Sequence, residues 1–237
     1  MGLPTGPAVT FLFTDIEGST RLERSVGSSS WAEIVARHDQ LLRQAIESNG
    51  GEVVKTEGDA FFAAFDRPEA GVRAAIDAQR AVSDASWPEG CLLRVRMGLH
   101  TGEGRLRAGR GEGDPEDYVG IDVNYAARIA TAGNGGQVVL SQAVVDAIGD
   151  DADWLHRDAD SRADGDAADA GIRLADEGLR AVKDFEEPRR LFRLIVSGAA
   201  DDPRRLRTLD PPSNLPGEVT EYDDSLLYAA KIKYASN

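Results

Sequence analysis

Between Val9 and His100 two amphipathic helical stretches alternate with four short apolar stretches of strand character, and that order admits very few folds. Val9–Phe13 is rich in β-formers and ends at Thr14-Asp15. Trp31, Ile34, Val35, His38, Leu41, Leu42, Ala45 and Ile46 recur at helical spacing, which predicts a helix from about Ser30 to Ser48, stopped by Asn49-Gly50-Gly51. Glu52–Thr56 and Ala60–Phe65 read as two strands around the tight turn Glu57-Gly58-Asp59. Pro68 opens a second helix that runs past Val82, and Leu92–His100 reads as a fourth strand. The predicted order is β-α-β-β-α-β, the split βαβ arrangement of an α+β, ferredoxin-like core.

The remainder adds β and α segments to that core. A glycine-rich loop is expected over Gly102–Glu116, a helix over Val123–Ala132, a strand over Gln137–Leu140 and a helix over Ser141–Ile148 capped by Ser141. Asp158–Ala170 is rich in Asp, Ala and Gly and reads as a mobile acidic insertion. Leu179–Val182 and Leu191–Val196 read as a last pair of strands, and the polar, Pro-rich chain after Gly198 as linker.

Composition narrows the function classes. Net charge is −14, from 41 acidic against 27 basic residues, which disfavours nucleic acid and anionic membrane as partners. No apolar run approaches the ~18–20 residues needed to span a bilayer, and the N-terminus lacks the basic start of a signal peptide. The single cysteine, Cys91, cannot form an internal disulfide, so a reducing, cytoplasmic setting is expected. In the run Cys91-Leu92-Leu93 a packed thiol is the natural reading.

Two carboxylates stand out by position. Asp15 ends the first strand, and Asp59 sits at the tip of a hairpin whose return strand should lie beside that first strand. Two neighbouring carboxylates suit a pair of hard divalent cations that clamp phosphate oxygens. The small turn Ile16-Glu17-Gly18-Ser19 offers backbone N–H groups to a phosphate. Spacing alone fits equally well a capping Asp15 and an Asp59 that fills a turn position favouring Asp.

The surrounding words resemble a known family. Val9-Thr10-Phe11-Leu12-Phe13-Thr14-Asp15-Ile16-Glu17-Gly18-Ser19-Thr20, Lys55-Thr56-Glu57-Gly58-Asp59 with the apolar strand after it, and Asp117-Tyr118-Val119-Gly120-Ile121-Asp122-Val123-Asn124-Tyr125-Ala126-Ala127-Arg128-Ile129 are similar, in order, to three motifs of class III adenylyl and guanylyl cyclases. Arg94-Val95-Arg96-Met97-Gly98-Leu99-His100-Thr101-Gly102-Glu103 resembles the strand and turn that link them. The resemblance implies a nucleotidyl cyclase catalytic domain over 1–197, with the acidic insertion at 158–170, and a linker or tail over 198–237.

It also implies roles. Asp15, Asp59 and the Ile16 carbonyl would hold two divalent cations, Mg²⁺ or Mn²⁺, per site. Asn124 would orient the ribose, and Arg128, one turn along the same helix, would meet charge growing on the phosphates. Lys55 and Asp117 match the family's base-reading pair; a cation and a carboxylate complement the N1 acceptor and N6 donor of adenine, so ATP is the implied substrate and cyclic AMP the product. Lys183 stands where the family carries a triphosphate-binding lysine, although Lys183-Asp184-Phe185-Glu186-Glu187-Pro188 lacks the usual glycine; Arg189 and Arg190 are its possible substitutes. A homodimer is implied, each site shared between two copies. A guanylate or pyrimidine nucleotide cyclase, or a catalytically silent cyclase-like module, stays open as an alternative. The segment Leu206-Arg207-Thr208-Leu209-Asp210-Pro211-Pro212-Ser213-Asn214-Leu215-Pro216 resembles a linker to an ATPase regulator, a module expected to be missing from this chain.

Overall fold

A computed structural model describes residues 2–107, 116–149, 156–157 and 171–209. The first strand, β1 (Gly6–Ile16), leads into helices α1 (Ser19–Val26) and α2 (Ser28–Ser48). Strands β2 (Glu52–Glu57) and β3 (Ala60–Phe65) form the hairpin, followed by α3 (Pro68–Asp84) and β4 (Val95–Arg107). Then come β5 (Asp117–Val119), α4 (Ile121–Ala132), β6 (Val138–Ser141), α5 (Gln142–Ile148), β7 (His156–Arg157), β8 (Ile172–Arg180) and β9 (Arg189–Val196). The sheet order is β2-β3-β1-β4-β6-β9-β8-β7, with β5 paired to β4.

The α+β class and the ferredoxin-like core with C-terminal additions are as the sequence implied. β1 lies between β3 and β4, antiparallel to both. Its side chains alternate between two cores, as a buried central strand requires. Leu12 and Ile16 join α2, α3 and α5 in the larger core, whereas Val9 and Phe11 join Phe62, Tyr118 and Val123 on the opposite face under α4. On α2 the buried set Ile34, His38, Leu42, Ala45 and Ile46 makes one stripe. Burial holds His38 below its usual pKa, so it serves the core as a neutral ring. Cys91 is buried, as expected.

Several boundaries differ from expectation, each for a local reason. Residues 19–26 form a separate helix, because Gly18 and Gly27, both at positive φ, break the helical run on either side. Leu92 lies outside β4 and is 66% exposed; the strand starts at Val95. β4 then runs on to Arg107, through glycines assigned above to a loop. Those glycines serve close approach: a Cβ on Gly104 would lie 2.3 Å from the Val9 side chain, and one on Gly102 would lie 2.5 Å from Asp122. β8 begins at Ile172, earlier than Leu179. The Asp158–Ala170 insertion and most of the Gly102–Glu116 loop beyond Arg107 lie outside the described residues. No helix among the described residues is long and apolar enough to cross a membrane.

The segment expected to be linker after Gly198 is docked as far as Leu209. Gln137, fully buried, donates through Nε2 to the carbonyls of Asp202 and Arg204, each at 2.7 Å. Asn134 Nδ2 donates to the Arg205 carbonyl at 2.9 Å, Arg207 N to Ala132 O at 2.7 Å and Leu209 N to Ala181 O at 2.9 Å. Leu206 is buried against Ile129, Val139 and Leu191. The two buried side chains also bond each other, Asn134 Nδ2 donating to Gln137 Oε1 at 3.0 Å, while Gln137 Nε2 finds both its partners in the strap. The tail from 210 onward lies outside the described residues.

Two outcomes are expected for stability. A Cβ on Gly98 would fall 2.2 Å from the backbone N of Ala130, where β4 meets α4. Gly98→Ala should therefore cost about 1–3 kcal/mol, read by denaturant unfolding; a neutral result would mean the strand and helix are not packed this closely. Asp202 is pulled down from 3.8 to about 2, first by hydrogen bonds from Arg204 and further by the charge of Arg94. Its folded pKa lies below its unfolded one, so its contribution is complete above pH 3.8 and disappears as pH falls through about 2. Asp202→Asn should lower stability at pH 7 by about 1–3 kcal/mol, and the gap to wild type should close across that acid range. A gap that is independent of pH would show that the carboxylate charge is not what holds the strap.

Candidate active site

The antiparallel register of β1 and β4 sets Asp15 opposite Arg96, and alternation puts both on the α4 face of the sheet. Arg96 grips the Asp15 carboxylate with both ends of its fork: Nη2 donates to Oδ2 at 2.7 Å and Nε donates to Oδ1. The β2–β3 loop has two residues, with Gly58 at φ +60 in its first position, the geometry of a type II′ hairpin. That loop delivers Asp59 to the end of β1, where its Oδ2 accepts from Ile16 N at 2.8 Å. The two carboxylates expected to be neighbours therefore are. They line a cavity of 710 Å³ together with Ile16, Gly18, Arg96 and Arg204.

Donor chemistry decides whether divalent cations fit here. Two carboxylates and the Ile16 carbonyl make an all-oxygen set, suited to a hard ion that keeps water and phosphate oxygens as its other ligands. Among the described residues no three His, Cys, Asp or Glu side chains gather into a cluster. Arg96 supplies Asp15 with a positive charge beside a second carboxylate. The residues present fit Mg²⁺ or Mn²⁺.

The turn after Asp15 has a second anchor. Glu17 N donates to the Arg94 carbonyl at 2.9 Å, and the Glu17 carboxylate receives Arg204 Nη2 at 2.7 Å and also Arg207. Both arginines come from the docked strap, so the segment read as linker bears on the turn that carries the metal candidates.

A second group lies on the same sheet face. Lys55 on β2 pairs in register with Phe62, and its Nζ sits 5.9 Å from that ring. Lys55 Nζ donates to Asp117 Oδ2 at 2.7 Å, while Asp117 Oδ1 accepts from Tyr118 N at 2.9 Å. The latter bond leaves the Asp117 carboxylate little freedom to turn. The sequence candidates Lys55 and Asp117, 62 residues apart, are in direct contact.

The third group is built on α4. Asn124 and Arg128 share its face toward solvent, between the buried residues Val123, Tyr125, Ala126 and Ile129. Arg128 Nη2 meets Asp184 Oδ2 at 2.6 Å. Lys183, beside Asp184, is exposed. Of the two substitutes considered for it, Arg189 lies 5.1 Å from the ring centre of Tyr125 and 5.6 Å from that of Phe185, and Arg190 pairs with Asp176. Among the described residues no hydrogen bond or ion pair joins the Asp15–Asp59 group to either of the other two.

Sequence reasoning missed Arg96, Glu17, Asp184, Arg204 and Arg207. Arg96 alternates with buried Val95 and Met97, and a charge at such a position in a central strand needs a partner. The strap arginines form a basic run in a strongly acidic chain. No signal in the sequence marked Glu17 as their partner.

The family model of the adenylate and guanylate cyclase catalytic domain matches residues 4–161. An uncharacterized protein of Mycobacterium tuberculosis is 39% identical over 147 residues, 61% of this chain and 46% of that protein. An adenylate cyclase of Lachancea kluyveri is 37% identical over 161 residues, 58% of this chain and 8% of that protein. The chain thus spans less than half the length of these curated relatives. Among solved structures, an adenylate cyclase of Trypanosoma brucei in its monomeric state superposes with a TM-score of 0.71 at 25% identity, covering 87% of this chain and 95% of that one.

Proposed function

This chain belongs to the adenylate and guanylate cyclase catalytic-domain family, and we propose that it converts ATP to 3′,5′-cyclic AMP and pyrophosphate. The observation that carries the choice of base is the Lys55–Asp117 contact at 2.7 Å. Held side by side, an ammonium donor and a carboxylate acceptor complement N1 and N6 of adenine. Guanine presents a donor at N1 and an acceptor at O6, the reverse polarity. The adenylate cyclases among the relatives support the same choice.

In the proposed reaction the ribose 3′-oxygen attacks the α-phosphorus, the bond from that phosphorus to the β-phosphate oxygen breaks, and the 3′-hydroxyl proton is lost. Asp15, Asp59 and the Ile16 carbonyl are the residues that would hold divalent cations. When bound, such ions lower the pKa of the 3′-hydroxyl and offset charge on the triphosphate. Asn124 orients the ribose, and Arg128 faces the negative charge that grows on the departing pyrophosphate. Lys183 contributes a further positive charge to the triphosphate.

We propose in addition that each site is shared by two copies of the chain. One copy supplies Asp15 and Asp59; the other supplies Lys55, Asp117, Asn124 and Arg128. Support comes from the resemblance of these motifs to those of class III cyclases, which implies a site shared between two copies. A twofold dimer then carries two equivalent sites.

Product analysis tests the base assignment. Purified protein given ATP, GTP, CTP or UTP, with Mg²⁺ or Mn²⁺, should yield cyclic AMP as the dominant product by chromatography. Dominant cyclic GMP, CMP or UMP would overturn the assignment, and no product from folded protein in Mn²⁺ would favour a silent cyclase-like module. Subunit mixing tests the shared site. Asp59→Ala and Arg128→Ala should each lose about 10²–10³-fold in kcat. Mixed in equal amounts, about half the dimers carry both variants with one intact site, so roughly a quarter of wild-type activity should return. If exchange occurs and the mixture stays inactive, the site is not shared.

A further inference from the structure

Residues 182–185 make a tight turn in which Phe185 N donates to the Val182 carbonyl at 3.1 Å. Its third residue is Asp184, at φ +68, the only non-glycine residue with positive φ among those described. Turns with positive φ at the third position favour Gly or Asn there. The Asp184 side chain therefore sits where a glycine would make the turn without strain, and the carboxylate points to Arg128, reaching Nη2 at 2.6 Å. The pair is open to solvent: the side chains are 39% and 53% exposed. Salt bridges so placed are weak and exchange readily.

We infer that Asp184 is an affinity-setting residue, a tethered anion that occupies Arg128 until the phosphates of the nucleotide displace it. The inference rests on the reading above in which Arg128 meets those phosphates. A guanidinium fork bonded to one anion cannot present the same N–H groups to another. Substrate binding then requires breaking the Asp184 contact, which lowers apparent affinity by the fraction of time Arg128 is engaged. The carboxylate also stands next to Lys183, so its charge opposes any triphosphate drawn to that lysine. Its effect should fall on phosphorylated ligands and leave a neutral nucleoside untouched.

Asp184→Asn isolates the charge, since Asn tolerates positive φ as Asp does. Calorimetry on the whole chain with Mg²⁺ compares a non-cyclising ATP analogue, pyrophosphate and adenosine. In Asp184→Asn the analogue and pyrophosphate should bind about two- to five-fold tighter, while adenosine is unchanged. Glu187→Gln removes the same charge from the same exposed loop and should bind all three as wild type does. Asp184→Gly should bind phosphates equally tightly and melt at higher temperature, because the turn loses its strained residue. Unchanged phosphate affinity in Asp184→Asn, or an equal gain in Glu187→Gln, overturns the inference. Arg128→Ala separates the two levels. If it binds analogue and pyrophosphate like wild type, the phosphate role of Arg128 fails. If it binds them poorly while Asp184→Asn matches wild type, only the tethered-anion inference fails.

Discussion

The antiparallel pairing of β1 with β3 on one side and β4 on the other determines where every candidate residue of the carboxylate group stands. Thr14 pairs with Phe61 and Asp15 with Arg96. Because side chains alternate along a strand, a slip of one residue would move Leu12 and Ile16 out of the larger core and turn Asp15 into it. The core therefore enforces the register, and the register places Asp15. The two-residue turn at Gly58-Asp59 fixes the second carboxylate in the same way, since a longer loop would not hold Asp59 against Ile16 N. Burial of apolar side chains, a non-directional effect, is converted by strand pairing into the position of two charges.

Much of the rest depends on close contact between α4 and β4. Gly98 permits the helix to lie directly on the strand, which sets Asn124 and Arg128 at a fixed height over the sheet. The strap from Gly198 to Leu209 then packs at the C-terminal end of that helix and on the loop after it, bonding Asn134 and Gln137 and reaching the Glu17 turn through Arg204 and Arg207. Helix end, strap and the Glu17 turn are thus joined by hydrogen bonds.

The sequence made the fold and the three groups of site residues readable, because they depend on periodicity, turn chemistry and ordered motifs. The split βαβ order, which lays β3 beside β1, and the Gly58-Asp59 turn were sufficient to bring Asp15 and Asp59 together. The Lys55–Asp117 contact rested on resemblance alone, since nothing in spacing links residues so far apart in sequence. What was not readable shares a physical cause. Arg96, Glu17, Arg204, Arg207 and Asp184 act through ion pairs between distant segments, and charge carries no periodic signature that survives in one sequence. The strap was misread for a related reason. Pro-rich polar composition describes what a segment cannot bury by itself, and here its main-chain carbonyls are what the core requires. The positive φ of Asp184 was foreshadowed only by the missing glycine in its turn.

The proposed function asks a chain of net charge −14 to receive a tetra-anionic nucleotide, and the ion pairs bear on how it could. Four charges around the candidate site are matched internally: Asp15 by Arg96, Lys55 by Asp117, Arg128 by Asp184, Glu17 by the strap arginines. Three of these four pairs leave at least one partner substantially exposed, and exposed pairs contribute little to stability. The exception is Asp15–Arg96, with side chains 28% and 18% exposed, which is also the only one of the four in which a single arginine holds both carboxylate oxygens. Under the proposed function, ligand binding at Lys55 and Arg128 would be an exchange of weak partners, in which each new bond to the ligand replaces only a weak internal one. At Asp15 the exchange would be more demanding, since a cation held there would compete with a bidentate arginine in a less hydrated place. On the proposed function, burial therefore ranks the contacts: those of Lys55 and Arg128 would adjust more readily than the carboxylate held by Arg96.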